Sequence, residues 1–368
     1  MQRILGRTIL ALAISASPIL WGCGDELPPA PGGSGDNLAT KIVFSEILEQ
    51  APNWSERGLI KVMNPDGSDQ AEIGRGRILG RTGINRIAFV RNDSIFVATL
   101  RNGAWEMKHI PTGENDTELN IASVSLSSDG RYVTFTTFRN GTGNAQYLST
   151  YLALADGSGI GTPLPVAVAG GCTPVFSRDG RKLAFYGVPR DSNNSFVDPA
   201  RIYVFDTGTN NYKVVGYVGE AAVDGAALLD LSPDGSRVVY ADDSSGTLYT
   251  ANTDGSGSPR KLTEFGMTPA WSPDGTRIVY VGATPGNTEV MIINADGSGT
   301  PLKLTNTIGQ LEMFPQFSPD GRKIVYSVSS GDPEKFSASI KTLDLNNPAA
   351  TVTLSTSGFK ALWLRTDP

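Results

Sequence analysis

The chain has 368 residues, a net charge of −6, two cysteines and one histidine. A negative balance with only 18% charged residues argues against nucleic acid as a target, because phosphate binding needs clustered cations. A single histidine, His109, leaves no histidine pair to hold a metal, and abundant glycine and proline (42 and 23 residues) point to a chain rich in turns.

The N-terminus reads as an address. Arg3 and Arg7 form a basic start, and Thr8–Leu20 is an apolar stretch too short to span a bilayer, so residues 1–22 are expected to be a secretory signal. It ends in Leu20-Trp-Gly-Cys23, the form of a bacterial lipobox, with Cys23 as the residue to be acylated; a buried or disulfide-bonded thiol is the alternative. Residues 23–37 follow as a Pro/Gly/Ser tether that cannot build a core. Gly24 rather than Asp after the cysteine suggests the outer membrane, with the chain held there through its lipid alone. With Cys23 lipidated, Cys172 would have no disulfide partner, and it reads as a buried, inert thiol.

From residue 38 onward one pattern repeats. Five copies are complete: Leu126-Ser-Ser-Asp-Gly130, Phe176-Ser-Arg-Asp-Gly180, Leu231-Ser-Pro-Asp-Gly235, Trp271-Ser-Pro-Asp-Gly275 and Phe317-Ser-Pro-Asp-Gly321. Each leads, through a basic or polar residue, into an apolar run that ends in an aromatic. Two further copies keep only that run, Ile42-Val-Phe44 and Ile87-Ala-Phe89. The closing aromatics stand at 44, 89, 135, 185, 240, 280 and 326, a spacing of 40 to 55 residues. Strands and turns repeating at that period predict a seven-bladed β-propeller. Asp-Gly between apolar runs predicts a tight hairpin, because glycine accepts the positive φ the turn needs. Third strands are expected near Leu59–Met63, Ile95–Leu100, Tyr147–Leu154, Ile202–Asp206, Leu248–Ala251, Val290–Ile293 and Ile340–Leu343. A second turn, Asp-Gly-Ser, recurs at Asp66, Asp156, Asp254 and Asp296. These Asp-Gly pairs read as turn formers rather than ligands.

The first module lacks an innermost strand, and Gly358-Phe-Lys-Ala-Leu-Trp-Leu364 at the far end lacks a partner. That segment resembles Gly266-Met-Thr-Pro-Ala-Trp271, so the C-terminal strand is expected to complete blade 1 and close the ring.

The Ser-Pro-Asp-Gly-(Arg/Lys)-apolar-aromatic repeat with its trailing Asp-Gly-Ser turn resembles the TolB-type propeller repeats, cousins of the WD-repeat blades, over about residues 38–368. The resemblance implies an all-β fold of four-stranded antiparallel blades and a place in the bacterial envelope. Only Gly24–Asn37 precedes the first strand, which leaves no room for the α/β domain ahead of the propeller in TolB itself.

Strand order puts the uniform Asp-Gly turns on one face and the variable loops on the other, where function is expected to concentrate. The long loops are Glu46–Gly58, Phe138–Ala145, Gly187–Ala200, Gly282–Thr288 and Ser327–Ser337. They offer Trp54, Arg57, Arg139, Arg190, Phe196 and Phe336 as anchors for a partner, since aromatic and arginine residues dominate contact energetics. The innermost strands open on the same face with Met267, Met313 and the acids Asp224 and Glu312, placed to attract a cation or sugar hydroxyls at the channel mouth.

An enzyme is not expected. His109 falls in Trp105–Ile110, which reads as an outer strand, and no nucleophile elbow or P-loop is present. Similar propellers precede a hydrolase domain in some peptidases, and no such domain follows here. The expectation is a monomeric binding or scaffold protein of the envelope, without cofactor, facing a protein or glycan. The alternative is a lectin or a carboxylate-based glycosidase or lyase, since two acids suffice for that chemistry.

Overall fold

A computed structural model describes residues 40–47, 58–80, 82–112, 120–140, 146–164, 168–169, 174–189, 200–218, 229–242, 245–284, 287–329 and 338–365. They form seven antiparallel sheets arranged as the blades of one ring. The expected third strands are all present, at Gly58–Met63, Ser94–Arg101, Gln146–Leu154, Ala200–Asp206, Thr247–Asn252, Asn287–Asn294 and Ala338–Asp344.

Each repeat's closing aromatic explains why the repeat exists. Phe44, Phe89, Phe135, Phe185, Tyr240, Tyr280 and Tyr326 are all buried. Four of them stack on the residue directly opposite in the third strand: Phe89 on Phe96, Phe135 on Tyr151, Phe185 on Tyr203 and Tyr240 on Tyr249, with centroids 5.0–5.7 Å apart. Cross-strand aromatic pairs of this kind fix register as well as adding burial. The apolar clusters sit between blades rather than within them, and each of the seven seams has its own.

The Ser-x-Asp-Gly turn is wider than a two-residue Asp-Gly hairpin. In blade 5 the Gly235 N–H donates to the Ser232 carbonyl at 2.8 Å, which makes Ser232–Gly235 one turn. Only the glycine has positive φ, 67°, and the aspartate keeps the ordinary negative value. Serine and aspartate then lock the loop from inside. The Ser232 hydroxyl donates to Asp234 Oδ1 at 2.6 Å and accepts the Arg237 N–H at 2.9 Å, while Ser236 N–H donates to the same carboxylate at 3.0 Å. The same bonds recur around Ser127, Ser177, Ser272 and Ser318. These bonds hold the Asp234 carboxyl down at about 2. The Asp-Gly-Ser turns are closed likewise, with Asp66, Asp156, Asp254 and Asp296 accepting the serine N–H at 2.8–2.9 Å.

At four seams a basic side chain of one blade reaches the next. Lys182 Nζ donates to Gly235 O at 2.9 Å and to the Thr253 hydroxyl at 2.7 Å. Arg237 reaches Gly275 O and Ala295 O and lies over Trp271, its guanidinium 4.7 Å from the ring centroid. Arg86 donates to Gly130 O, and Arg277 lies over Phe317. These contacts join blade 2 to 3, 4 to 5, 5 to 6 and 6 to 7 along the turn rim.

Two blades depart from the regular pattern. Blade 2 has three strands, Arg86–Arg91, Ser94–Arg101 and Ala104–Ile110, and its innermost edge is reduced to two isolated bridges, Arg77 with Val90 and Gly83 with Arg86. Beside these bridges Gly80 approaches blade 3 so closely that a Cβ there would lie 1.8 Å from Val124 O. In blade 4 two short segments, Val168–Ala169 and Val175–Phe176, share the innermost position against Lys182–Pro189.

The last strand, Gly358–Arg365, pairs with Thr40–Ile47 as the innermost strand of blade 1, and the ring closes between the chain's ends as expected. Trp363 lies opposite Ile42 and its Nε1 donates to Gln316 O of blade 7 at 3.3 Å. Trp271 makes the same bond in blade 6, to Asp230 O of blade 5. Blade 2 grips the closing strand from the other side, through the Thr82 hydroxyl on Trp363 O and the Asn85 N–H on Arg365 O.

Two outcomes follow. Deleting residues 358–368 opens the ring and exposes the edge of Thr40–Ile47. The truncated protein should aggregate, and Trp363→Ala alone should cost about 3–5 kcal/mol in denaturant unfolding. Ser272→Ala removes the acceptor of a buried Arg277 N–H and should cost about 1–3 kcal/mol by the same measurement.

Candidate functional site

The described part of the loop-rich face is built from the entries of the innermost strands. Three of them carry a β-bulge at the same place. Thr268, Phe314 and Lys360 have φ of 46°, 53° and 52°, in blades 6, 7 and 1. The register slips at each, between Met267 and Ala270, Met313 and Gln316, and Val43 and Ser45. Left-handed backbone at non-glycine residues costs energy and is kept where surroundings impose it, commonly beside functional sites. Here it turns three successive side chains toward the ring axis. They border a central cavity of about 40 Å³, together with Pro269, Pro315 and Gln316.

Met267 and Met313, expected at the channel mouth, directly precede two of these bulges and are half-buried. Glu312 is placed differently from the expectation. It is 1% exposed, shut in the seam between blades 6 and 7 rather than open at the mouth. Its Oε1 accepts the Thr307 hydroxyl, and its Oε2 has no partner among the described residues. Glu289, also buried, lies beside it. There Glu289 takes Lys303 Nζ at 2.9 Å, the Thr305 hydroxyl at 2.8 Å and the Thr307 N–H at 3.2 Å. Burial first, and the neighbouring Glu289 charge as well, push the Glu312 carboxyl up to about 7.

Trp54, Arg57, Arg190, Phe196, Asp224 and Phe336 lie outside the described residues, as do Cys23, the signal and tether segments and Cys172. Arg139 is placed by its backbone alone, opposite Tyr147 near the end of Tyr132–Asn140. The loop expected at Gly282–Thr288 is instead hairpin: pairing continues from Gly282–Glu289 out to Thr284–Asn287, because the ladder has partners all the way to its tip. His109 lies on the outer strand Ala104–Ile110, as expected, with its ring edge-on to Phe96.

Ile308 escaped the sequence reading. It is 94% exposed, on the connection from blade 6 to blade 7. Its loop is pinned: Asn287 Oδ1 accepts the Gly309 N–H at 2.8 Å, Asn287 Nδ2 donates to Thr307 O, and Glu289 accepts the Thr307 N–H. An isolated apolar residue in a short polar loop gives no signal by itself. The polar residues that hold it are scattered along the chain.

The Glu312 arrangement makes stability depend on pH. The folded-state value lies above the ordinary 4.5, so the native protein holds a proton that the unfolded chain releases. Stability is therefore greatest below about pH 4.5 with respect to this group, and is lost as pH rises toward and through about 7. Glu312→Gln should remove that decline and raise the melting temperature at alkaline pH, with little change at acidic pH. Thermal melts of both proteins across that range measure it.

A family profile described as the TolB beta propeller domain matches residues 113–342, more than half of the chain. No curated protein sequence matches it. Among solved structures, TolB from Acinetobacter baumannii is similar at 17% identity over 90% of this chain and 67% of its own, with a TM-score of 0.53. A puromycin-hydrolyzing peptidase of Mycobacterium tuberculosis is similar at 14% identity over 86% of this chain and 52% of its own, with a TM-score of 0.56. An oligogalacturonate lyase in complex with manganese is similar at 14% identity, over 85% and 84%, with a TM-score of 0.50. At such identities these three likenesses speak for fold alone. The sequence repeat, the seven-bladed ring and the profile match agree, and the chain belongs to the TolB beta propeller domain family.

Proposed function

We propose that this propeller is a non-enzymatic binding or scaffold module of the bacterial envelope, presenting its loop-rich face to a protein or glycan partner. The observation that carries the reading is Ile308: a large apolar side chain held almost wholly in solvent by a loop whose backbone is clamped at Thr307 and Gly309. Rigid presentation lowers the entropy cost of docking, and an apolar anchor on a fixed support is what a contact surface needs. On the opposite face the aspartates of the Asp-Gly turns are spent on their own backbones. By strand order alone, the long-loop residues Trp54, Arg57, Arg139, Arg190, Phe196 and Phe336 are expected to extend the same candidate face.

An activity built on carboxylates is the competing reading, and an oligogalacturonate lyase shares the fold. Glu289 and Glu312 are the pair with suitable chemistry, and Glu312 has the raised value a general acid needs. Both are nevertheless sealed in a blade seam, away from any sugar, which favours binding. Attachment to the membrane through Cys23 completes the proposal.

A photo-reactive residue at position 308 should cross-link one envelope partner in cells, and the same residue at Ser298 on the opposite face should not. Cys23→Ser should release the protein from the membrane fraction. Equal labelling from both positions would remove the face assignment, and unchanged fractionation would remove the anchor.

A further inference from the structure

The axial cavity is chemically lopsided. Lys360 is the only charged side chain among the described residues that line it. Its ammonium donates to Leu79 O at 2.6 Å and stands 5.5 Å from the Phe314 ring centroid, and no carboxylate among the described residues pairs with it. An ammonium has three protons to donate, and one protein acceptor leaves capacity for a ligand. A partly buried charge without a counter-ion loses hydration and is more often paired. Burial, and secondarily the nearby Arg77 charge, bring the Lys360 ammonium down to about 8. The Asp93 carboxylate acts on Arg77 rather than on Lys360.

A second, independent group converges on the same space. Thr268 Oγ1 is buried, lines the cavity and has no hydrogen-bond partner among the described residues. Both Thr268 and Lys360 are held there by left-handed backbone, and the Lys360 N–H is tied to the Ser327 hydroxyl at 3.0 Å. Unsatisfied buried hydroxyls are uncommon, and two strained positions aimed at one small cavity mark it as preorganised.

Which anion fits is decided by the missing donors. Phosphate and sulfate sites are built from rows of backbone N–H groups or several cations. Here Pro174, Pro269 and Pro315 occupy lining positions and delete those N–H groups. What remains among the side chains is one ammonium, the Thr268 and Ser125 hydroxyls and the Gln316 amide, in about 40 Å³ walled by Phe314 and Leu362. That set suits a small, singly charged planar group.

We propose that the axial channel is a binding site for a single carboxylate group, held by Lys360 and Thr268. The cavity opens among the same strand entries as the docking face, but its residues differ from the Ile308 loop: a partner at Ile308 could be lost with this site intact, and the reverse. The carboxylate can come from a sugar acid or from an acidic amino acid, and the test separates the two.

The experiment is titration calorimetry on the full chain with acetate, glucuronate, N-acetyl-aspartate and inorganic phosphate, beside NMR of the lysine side chains. Acetate should bind saturably, and its saturation should move the Lys360 resonance and raise its titration midpoint. Lys360→Met should weaken acetate about tenfold or more, as expected for a charge-assisted bond, and Thr268→Val should weaken it less. Tighter binding of glucuronate than of acetate assigns a sugar acid, and tighter binding of N-acetyl-aspartate assigns an acidic side chain. Absence of saturable carboxylate binding, affinity unchanged in Lys360→Met, or phosphate binding tighter than acetate would each overturn the proposal. If Lys360→Met does not fold, the wild-type resonance decides alone: a Lys360 signal unmoved by acetate rejects the site.

Discussion

The antiparallel ladder between Gly358–Arg365 and Thr40–Ile47 is the constraint on which the other six blades depend. A blade buries its apolar faces only against its two neighbours, and the seven clusters all lie in seams. Were the ring open, two blades would each lose one neighbour and a bare strand edge would face solvent. Closure therefore stabilises more than the strand that makes it. The Trp363 indole on Gln316 O, the Thr82 hydroxyl on Trp363 O and the blade 7–blade 1 cluster around Phe44 and Met63 are the contacts through which it does so.

Much of this was legible in the sequence, for a physical reason. Ser-x-Asp-Gly is a local device whose hydrogen bonds all fall within six residues, so its residue types are dictated by its own geometry. The closing aromatics are legible because every seam needs one large buried ring at the same register. The unpaired strand at 358–364 was legible as an absence on both ends of the chain. The turn's true width was not, because Asp-Gly serves both a two-residue hairpin and the wider loop, and only the φ values separate them.

The site was far less legible. The bulges at Thr268, Phe314 and Lys360 share no residue type, because what fixes each is the register slip imposed by neighbouring strands. Glu312 looked like a residue at an open mouth, and its burial depends on Thr307 and on Glu289 of another blade. Gly80 passes within reach of Val124 O of the next blade, a contact between segments far apart in the chain. Local grammar specified the blades, and the axis took its chemistry from where they meet.

Closure between the chain's two ends also sets the order of events in time. Contacts this distant in sequence form late, since the loop entropy must be lost before the ladder rewards it. Residues 40–47 emerge early from the ribosome and must wait for residues 358–365, the last of the propeller to be made. During that interval the protein is a row of paired blades with a waiting edge, a species prone to wrong pairing with another copy of itself. The strand that finishes the ring thus also ends the period in which the chain is vulnerable.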